Sequence, residues 1–170
     1  MTYRPYTGIG SRETPEHICS IMSEIGQYLG GCGYTLRSGG ADGADHSFER
    51  YLGTTHQKEI YLPWRGFNGH SSQLCSISNA AMELAASYHP AWDRCSIGAK
   101  KLHARNGYQV LGQDLKSPSL FIICWTKDGR ASGGTGQALR IAADHHIPIY
   151  NLQHDDGKHW NEQLYHFLKD

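Results

Sequence analysis

A glycine-rich segment late in the chain has the residue types of an anion site. Residues 132–138 read Ser-Gly-Gly-Thr-Gly-Gln-Ala, after the apolar run 120–125 and before the helix-like segment 138–145. A strand, a glycine loop and a helix in this order point several backbone N–H groups one way, at the positive end of the helix dipole. A phosphate or a carboxylate is stabilised there.

The same order of elements occurs twice more near the N-terminus. Residues 6–10 lead into Ser11 and Arg12, and residues 34–37 lead into a loop over residues 38–45 that reads Ser-Gly-Gly-Ala-Asp-Gly-Ala-Asp. Parallel strands bring their carboxyl ends to one edge of a sheet, where ligands bind. Three such loops therefore predict one crevice for a nucleotide-like ligand, with N–H donors for phosphate, carboxylates for ribose and aromatic rings for the base.

The candidate ligand-binding residues lie at these predicted strand ends. They are Gly10, Ser11, Arg12, Ser38, Gly39, Gly40, Ala41, Asp42, Asp45, Trp64, Trp125, Gly133, Gly134, Thr135, Gly136 and Gln137. Plainer interpretations stay open: the glycines form tight turns, the two aspartates cap a helix, and the two tryptophans belong to the core. Arg12 is the exception, because a guanidinium group directly after a buried strand needs an anionic partner.

The alternation of short strands and helices predicts the fold. Apolar residues recur at helical spacing over residues 15–29, and further helices are expected at 44–51, 79–87, around 100–106 and at 161–168. Strands are expected at 34–36, 59–62, 119–125 and 148–151, after a short one ending at Gly10. We therefore expect an α/β fold over residues 1–170, a single Rossmann-like domain whose open parallel sheet has helices on both faces.

Composition limits the classes of partner. The 170 residues include sixteen basic and sixteen acidic ones, so the formal net charge is zero. A nucleic-acid binder that works by neutralising phosphates usually has a basic excess, so such binding would need a local patch. Lys100, Lys101, His103 and Arg105 form the candidate patch, although a solvated helix face explains most of these charges.

Cysteine and histidine spacing argues against metal sites and disulfides. The five cysteines are far apart without a Cys-x-x-Cys pair, and the eleven histidines lack a convincing His-x-x-x-His pair. We therefore expect no metal, no cofactor and reduced thiols. No signal peptide or apolar run of membrane-spanning length is visible, so the predicted location is cytoplasmic, without a membrane partner. The apolar segment 80–92 predicts a homo-oligomer, most simply a dimer.

The N-terminal motifs resemble a known superfamily. Gly10-Ser11-Arg12, together with the loop 38–45, is similar to the Gly-Ser-Arg and Ser-Gly-Gly-Ala-x-Gly-x-Asp signatures of the DprA-like branch of the SLOG superfamily of Rossmann-like proteins. The resemblance spans roughly residues 7–152. It implies a nucleotide or nucleotide-derived ligand, or single-stranded DNA held by the same loops.

The later half looks more like the LOG branch of the superfamily, which hydrolyses nucleoside monophosphates. Arg105 matches a family arginine that precedes the fourth strand, and the resemblance implies that this arginine contacts phosphate. The glycines at 133, 134 and 136 match the glycines of the family loop. Three positions depart from the pattern, since Ser132 replaces a proline, Gln137 a threonine and Arg140 the catalytic glutamate. Only Asp42, Asp45 or Asp128 then offers a carboxylate for glycosidic cleavage. The resemblance thus supports the ligand class more strongly than turnover.

Overall fold

The computed structural model describes residues 2–53 and 57–168. Five strands form one all-parallel sheet in the spatial order β3-β2-β1-β4-β5. The strands are β1 (Pro5–Gly8), β2 (Thr35–Ser38), β3 (Lys58–Ile60), β4 (Ile122–Cys124) and β5 (Ile149–Asn151). The fold is the predicted α/β, Rossmann-like one.

Six α-helices in the described residues cover the two faces of this sheet. They are α1 (Glu16–Gly31), α2 (Ala44–Glu49), α3 (Asn79–Tyr88), α4 (Ile97–Leu111), α5 (Gly133–Asp144) and α6 (Trp160–Leu168). Apolar residues of α1, α2 and α6 pack on one face in a cluster with alternate strand residues. Helices α4 and α5 pack on the other face, and α3 packs on α4. Two 3₁₀ turns, Phe67–Gly69 and Trp92–Arg94, interrupt the middle of the chain.

Local sequence explains where these helices begin. Ile18, Met22, Ile25 and Leu29 are buried at steps of three and four residues, which gives α1 one apolar stripe. Helices α3 and α4 each begin after a serine whose side-chain oxygen accepts a hydrogen bond from a backbone N–H in the first turn.

The winding of the chain reverses at the centre of the sheet. The first three strands add outward from β1 to β3, and the chain then returns to place β4 on the opposite side of β1. Connections on either side of this point cover opposite faces, so a crevice opens outside the carboxyl ends of β1 and β4. The fold thus sets one place at which several loops meet.

One element boundary differs from the prediction in a way that matters for function. The sequence predicts a helix that begins at Ala138, whereas α5 begins at Gly133. Glycine is a poor helix former, but buried Leu139, Ile141 and Ala142 anchor the helix on the sheet, and this packing outweighs the low propensity of its first turn. Most of the expected glycine loop is therefore helix. Strand β4 is also shorter than the apolar run that predicts it.

Candidate functional site

A cavity of about 840 Å³ lies at the carboxyl edge of the sheet, where the winding reverses. Two parts of its lining differ in chemistry. We call the first the amide wall, formed by Gly10, Ser11, Arg12, Glu13, Ser132, Gly133, Gly134 and Thr135. We call the second the side-chain wall, formed by His89, Ala99, Leu102, His103, Arg105, Asn106 and Gln109. Ile9, Ala41, Asp45, Thr126 and Lys127 complete the lining.

The N-terminus of α5 supplies much of the amide wall. An α-helix leaves its first N–H groups without intrahelical partners, and residues 133–135, at this end of α5, line the cavity. The preceding residue does not cap them, because the Oγ of Ser132 instead donates a hydrogen bond to Asp128 over 2.7 Å. The amide of Asn106, on the side-chain wall, donates to the carbonyl oxygen of Gly134 over 3.0 Å. This contact ties α5 to α4 across the cavity.

The loop after β1 is held by close backbone packing. The N–H of Ser11 donates to the carbonyl oxygen of Trp125 over 3.1 Å, so this loop is joined to the end of β4. A Cβ on Gly43 would lie 2.7 Å from the carbonyl oxygen of Ser11, and Gly43 has a φ of 76°. A Cβ on Gly10 would lie 2.7 Å from the Cβ of Ala44. Glycine is required at both positions because the loops after β1 and β2 touch.

Arg12 and Arg105 give the cavity two guanidinium groups that differ in exposure and in hydrogen bonding. Arg12 is exposed, and it has no hydrogen-bond or ion-pair partner within residues 2–53 and 57–168. Arg105 is only 6% exposed, and its Nη1 donates to the carbonyl oxygens of Gly39 and Tyr61. One guanidinium is thus available to a ligand, while the other also holds the protein together.

The loop after β2 packs beneath Arg105 with its first glycine inward. A Cβ on Gly39 would lie 2.2 Å from the Nε2 of Gln109 and 2.8 Å from a carboxylate oxygen of Asp45. A side chain at Gly39 would therefore displace these groups, and the carbonyl oxygen of Gly39 accepts a hydrogen bond from Arg105. The glycine at this position fixes the loop to α4, whereas Ala41 and Asp45 are the residues of the loop that reach the cavity.

Asp45 is a buried carboxyl group with a perturbed pKa. Burial raises its pKa to about 6, although the neighbouring Arg105 and a hydrogen bond from the Ala41 N–H both favour the charged form. Burial also lowers the pKa of Arg105, with Asp45 opposing the shift. A carboxyl group with a pKa this close to neutrality, facing a cavity, has the proton affinity that general acid–base catalysis uses.

The structure brings nine of the predicted site residues to the cavity and leaves eight elsewhere. The nine are Gly10, Ser11, Arg12, Ala41, Asp45, Arg105, Gly133, Gly134 and Thr135. The eight that do not line it are Ser38, Gly39, Gly40, Asp42, Trp64, Trp125, Gly136 and Gln137. Gly39 and the start of α5 nevertheless contact the same helix, α4. Arg105 donates to the carbonyl oxygen of Gly39, and the next residue, Asn106, donates to the carbonyl oxygen of Gly134.

The predicted aromatic platforms and the last residues of the glycine loop do not line the cavity. Trp125 packs in the core on the α1 face of the sheet, and Trp64 sits edge-on against Phe67 outside the cavity. The side-chain amide of Gln137 is fully buried and donates to the carbonyl oxygen of Ala85 over 2.9 Å. Because α5 begins five residues early, Gln137 lies inside a packed helix and is not in a loop.

The predicted carboxylates are reduced to one at the cavity. Asp42 is exposed and accepts a hydrogen bond from Asn68 over 2.9 Å, whereas Asp128 accepts from Ser132. Neither lines the cavity, so Asp45 is the one of the three candidates that does. Arg140, at the position of the family glutamate, points to α3 and donates to the carbonyl oxygen of Tyr88.

Sequence reasoning missed most of the side-chain wall. Leu102, Arg105, Asn106 and Gln109 are separated by steps of three, one and three residues, so they share one face of α4. This spacing could have identified the wall from the sequence, because it places two side-chain amides, an arginine and an apolar residue on one face of a helix. Three further cavity residues, Glu13, Thr126 and Lys127, lie just beyond strand ends that the sequence located.

His103 is a second group of this wall whose pKa is shifted. Burial lowers its pKa to about 4, and His89, Arg140 and Arg105 lower it further through their charges. The imidazole is therefore neutral near pH 7. The basic patch predicted around it is not a continuous surface, because Arg105 is buried and the Nζ of Lys100 lies 5.3 Å from the centre of the Trp92 ring.

Comparisons with other proteins add nothing to the geometry of the site. The chain matches no protein-family profile, no curated protein and no solved structure. Among the described residues, none of the helices combines the length and apolar character that crossing a bilayer requires.

Proposed function

We propose that this protein binds a nucleotide or a nucleotide-derived ligand in the cavity, as a sensor or as a sequestering protein. The observation that carries the proposal is the amide wall, in which the N-terminus of a twelve-residue helix and the loop after β1 line one cavity. Helix N-termini favour anions through their free N–H groups and their dipole, and the exposed guanidinium of Arg12 adds a full positive charge.

The remaining lining suits the other parts of a nucleotide. Ala99 and Leu102 give the side-chain wall apolar surface against which a base can pack, and Gln109 adds an amide for its polar edge. Asp45 offers a carboxylate to a ribose hydroxyl. The volume of about 840 Å³ lies within the usual range for small-ligand sites. The resemblance to the SLOG superfamily, which we also propose for this chain, supports the same ligand class.

Calorimetry against a panel of mononucleotides, dinucleotides and cyclic nucleotides tests this proposal. We expect at least one member to bind at a single site and the matching nucleoside without phosphate to bind at least about tenfold more weakly, because charge-assisted hydrogen bonds to phosphate are lost. If the folded protein binds no member of the panel, the proposal is wrong.

Hydrolysis of a nucleoside monophosphate is a second candidate function, favoured by Asp45. Its carboxyl group faces the cavity beside Arg105 and has a pKa of about 6, which suits proton transfer near neutral pH. Incubation with adenosine and cytidine monophosphates should then release free base from the wild type and none from Asp45→Asn. Binding without release of base would leave the first proposal alone.

Three further expectations stay predictions. Single-stranded DNA binding would show a steep salt dependence in gel shifts and would weaken in Arg12→Ala and in Lys100→Ala. Self-association through residues 80–92 would appear as a dimer mass in light scattering. A cytosolic location would appear on cell fractionation.

A further inference from the structure

Three side chains that commonly bind metals gather at one end of the side-chain wall. His89 follows the last residue of α3, Cys95 follows the second 3₁₀ turn, and His103 lies in the middle of α4. One potential ligand atom from each lies within 4.8 Å of those of the other two. The 3₁₀ turn folds the chain back between α3 and α4, which brings together residues whose spacing in the sequence matches no familiar metal motif.

The internal geometry of this group points to a missing partner. The Sγ of Cys95 lies 3.9 Å from both ring nitrogens of His89, and the two histidine rings have their centres 4.3 Å apart. The Nδ1 of His103 is buried, and no hydrogen bond reaches it from the described residues. A buried nitrogen without a partner is costly, and most buried polar atoms in proteins are satisfied. A metal ion bound at this nitrogen removes that cost.

We propose that His89, Cys95 and His103 bind one Zn²⁺ ion whose fourth coordination position faces the nucleotide cavity. Two imidazoles and one thiolate form a ligand set of the kind that zinc uses, and three protein ligands with one open position are typical of catalytic or ligand-binding zinc rather than of structural zinc. His89 and His103 both line the cavity, so an open position between them is reachable from it.

Small side-chain movements are enough to form the site. Zinc–sulfur distances of about 2.3 Å and zinc–nitrogen distances of about 2.0–2.1 Å place tetrahedral ligand atoms roughly 3.4 Å apart. The present group must therefore contract from separations of up to 4.8 Å. Two hydrogen bonds are also given up, since the Nδ1 of His89 accepts from the N–H of Ala91 over 3.0 Å and the thiol of Cys95 donates to the carbonyl oxygen of Ala91 over 3.6 Å. Their loss is a small cost beside the free energy of zinc binding.

Charge around the site favours an anion as the fourth ligand. The guanidinium groups of Arg105 and Arg140 are close enough to act on His103 electrostatically. Zinc with one thiolate adds a further net positive charge. This part of the inference rests on the proposed function, because the anion we expect at the fourth position is a phosphoryl oxygen of the nucleotide, with water there when no nucleotide is bound.

Titration of the metal-free protein with Co²⁺ tests the site without any nucleotide. We expect saturation at one equivalent, the intense visible absorption of tetrahedral cobalt and a charge-transfer band from a thiolate, all reversed by Zn²⁺. Cys95→Ser should lose the charge-transfer band and bind Co²⁺ at least about 100-fold more weakly. The matched control is Cys32→Ser, which changes an exposed thiol at the end of α1 and should behave like the wild type.

Clear outcomes would overturn the zinc proposal. Weak octahedral absorption, the same charge-transfer band in Cys95→Ser, or no saturation in a wild type that circular dichroism shows to be folded would each reject it. His103→Ala gives a second check, because it should also abolish tetrahedral cobalt binding. Nucleotide binding by metal-free protein would still support the proposed function, and zinc binding without nucleotide binding would still support this site, so the two proposals fail separately.

Discussion

The amide wall and the side-chain wall reach the same cavity by different means. The amide wall consists of residues at strand ends and at the start of α5, and the anion affinity that we propose for it follows from the fold itself. The side-chain wall depends on which residues α4 and the end of α3 present. If the proposed function is correct, the fold provides the place for phosphate, and the side chains of α4 determine which ligand binds.

Replacing the buried arginine should give the largest effect. Arg105→Ala removes the donor to the carbonyl oxygens of Gly39 and Tyr61 and leaves Asp45 buried without its opposite charge. Removing one partner of a buried pair costs about 3–5 kcal/mol. Urea denaturation should show a free energy of unfolding lower by that amount. A loss below about 1 kcal/mol would show that the side-chain wall is not structural.

A glycine pair tests whether the amide wall depends on backbone packing. In Gly43→Ala the new Cβ would lie 2.7 Å from a carbonyl oxygen at a φ that glycine favours, so we expect a loss of about 2–4 kcal/mol. Gly134→Ala is the matched control, because its Cβ would meet nothing within 4 Å and alanine favours the helix that begins here, so its stability should not fall. Thermal unfolding of both variants checks this. Equal losses would contradict the proposed packing.

The exposed arginine should affect binding without affecting stability. Arg12→Ala removes a guanidinium that has no partner in the described chain, so the free energy of unfolding should stay within about 0.5 kcal/mol of the wild type. Affinity for the best nucleotide of the panel should fall about tenfold, which is about 1.4 kcal/mol. Calorimetry measures this change. Unchanged affinity would remove Arg12 from the anion site.

The sequence predicts the amide wall better than the side-chain wall, for a physical reason. The glycine-rich strand ends are local patterns, so short segments are enough to locate Gly10, Ser11, Arg12 and the glycines at 133 and 134. His89 and His103 meet only through the packing of α3 on α4, and no local pattern encodes that packing. Nor could spacing show that Gln137 lies in a buried turn of α5, because glycine propensity predicts a loop there.

The smallest expected effect is the pH dependence of Asp45. An unperturbed aspartate has a pKa of 3.8, whereas burial raises the pKa of Asp45 to about 6 in the folded protein, where Arg105 and Glu49 are the charged groups acting on it. The folded state therefore binds the proton more tightly. The stability that this gives is complete below the unfolded pKa and is lost as the pH rises through about 6.

Comparison with Asp45→Asn isolates this effect from the many histidines. Between pH 5 and pH 7 the wild type should lose about 1 kcal/mol of unfolding free energy relative to Asp45→Asn. Urea denaturation of both proteins at the two pH values measures the difference. A constant difference across this range would mean that the carboxyl group titrates normally, and the case for Asp45 as a catalytic acid or base would fail.

The central claim is that loops distant in the sequence form one cradle of amide donors for an anionic ligand. Titrating ¹⁵N-labelled protein with the tightest nucleotide of the panel, and following backbone amide shifts by NMR, tests it most directly. We predict saturable shifts in two separate segments, residues 10–12 and residues 133–135, with one common dissociation constant. Shifts confined to one segment, or located away from both, would contradict the claim.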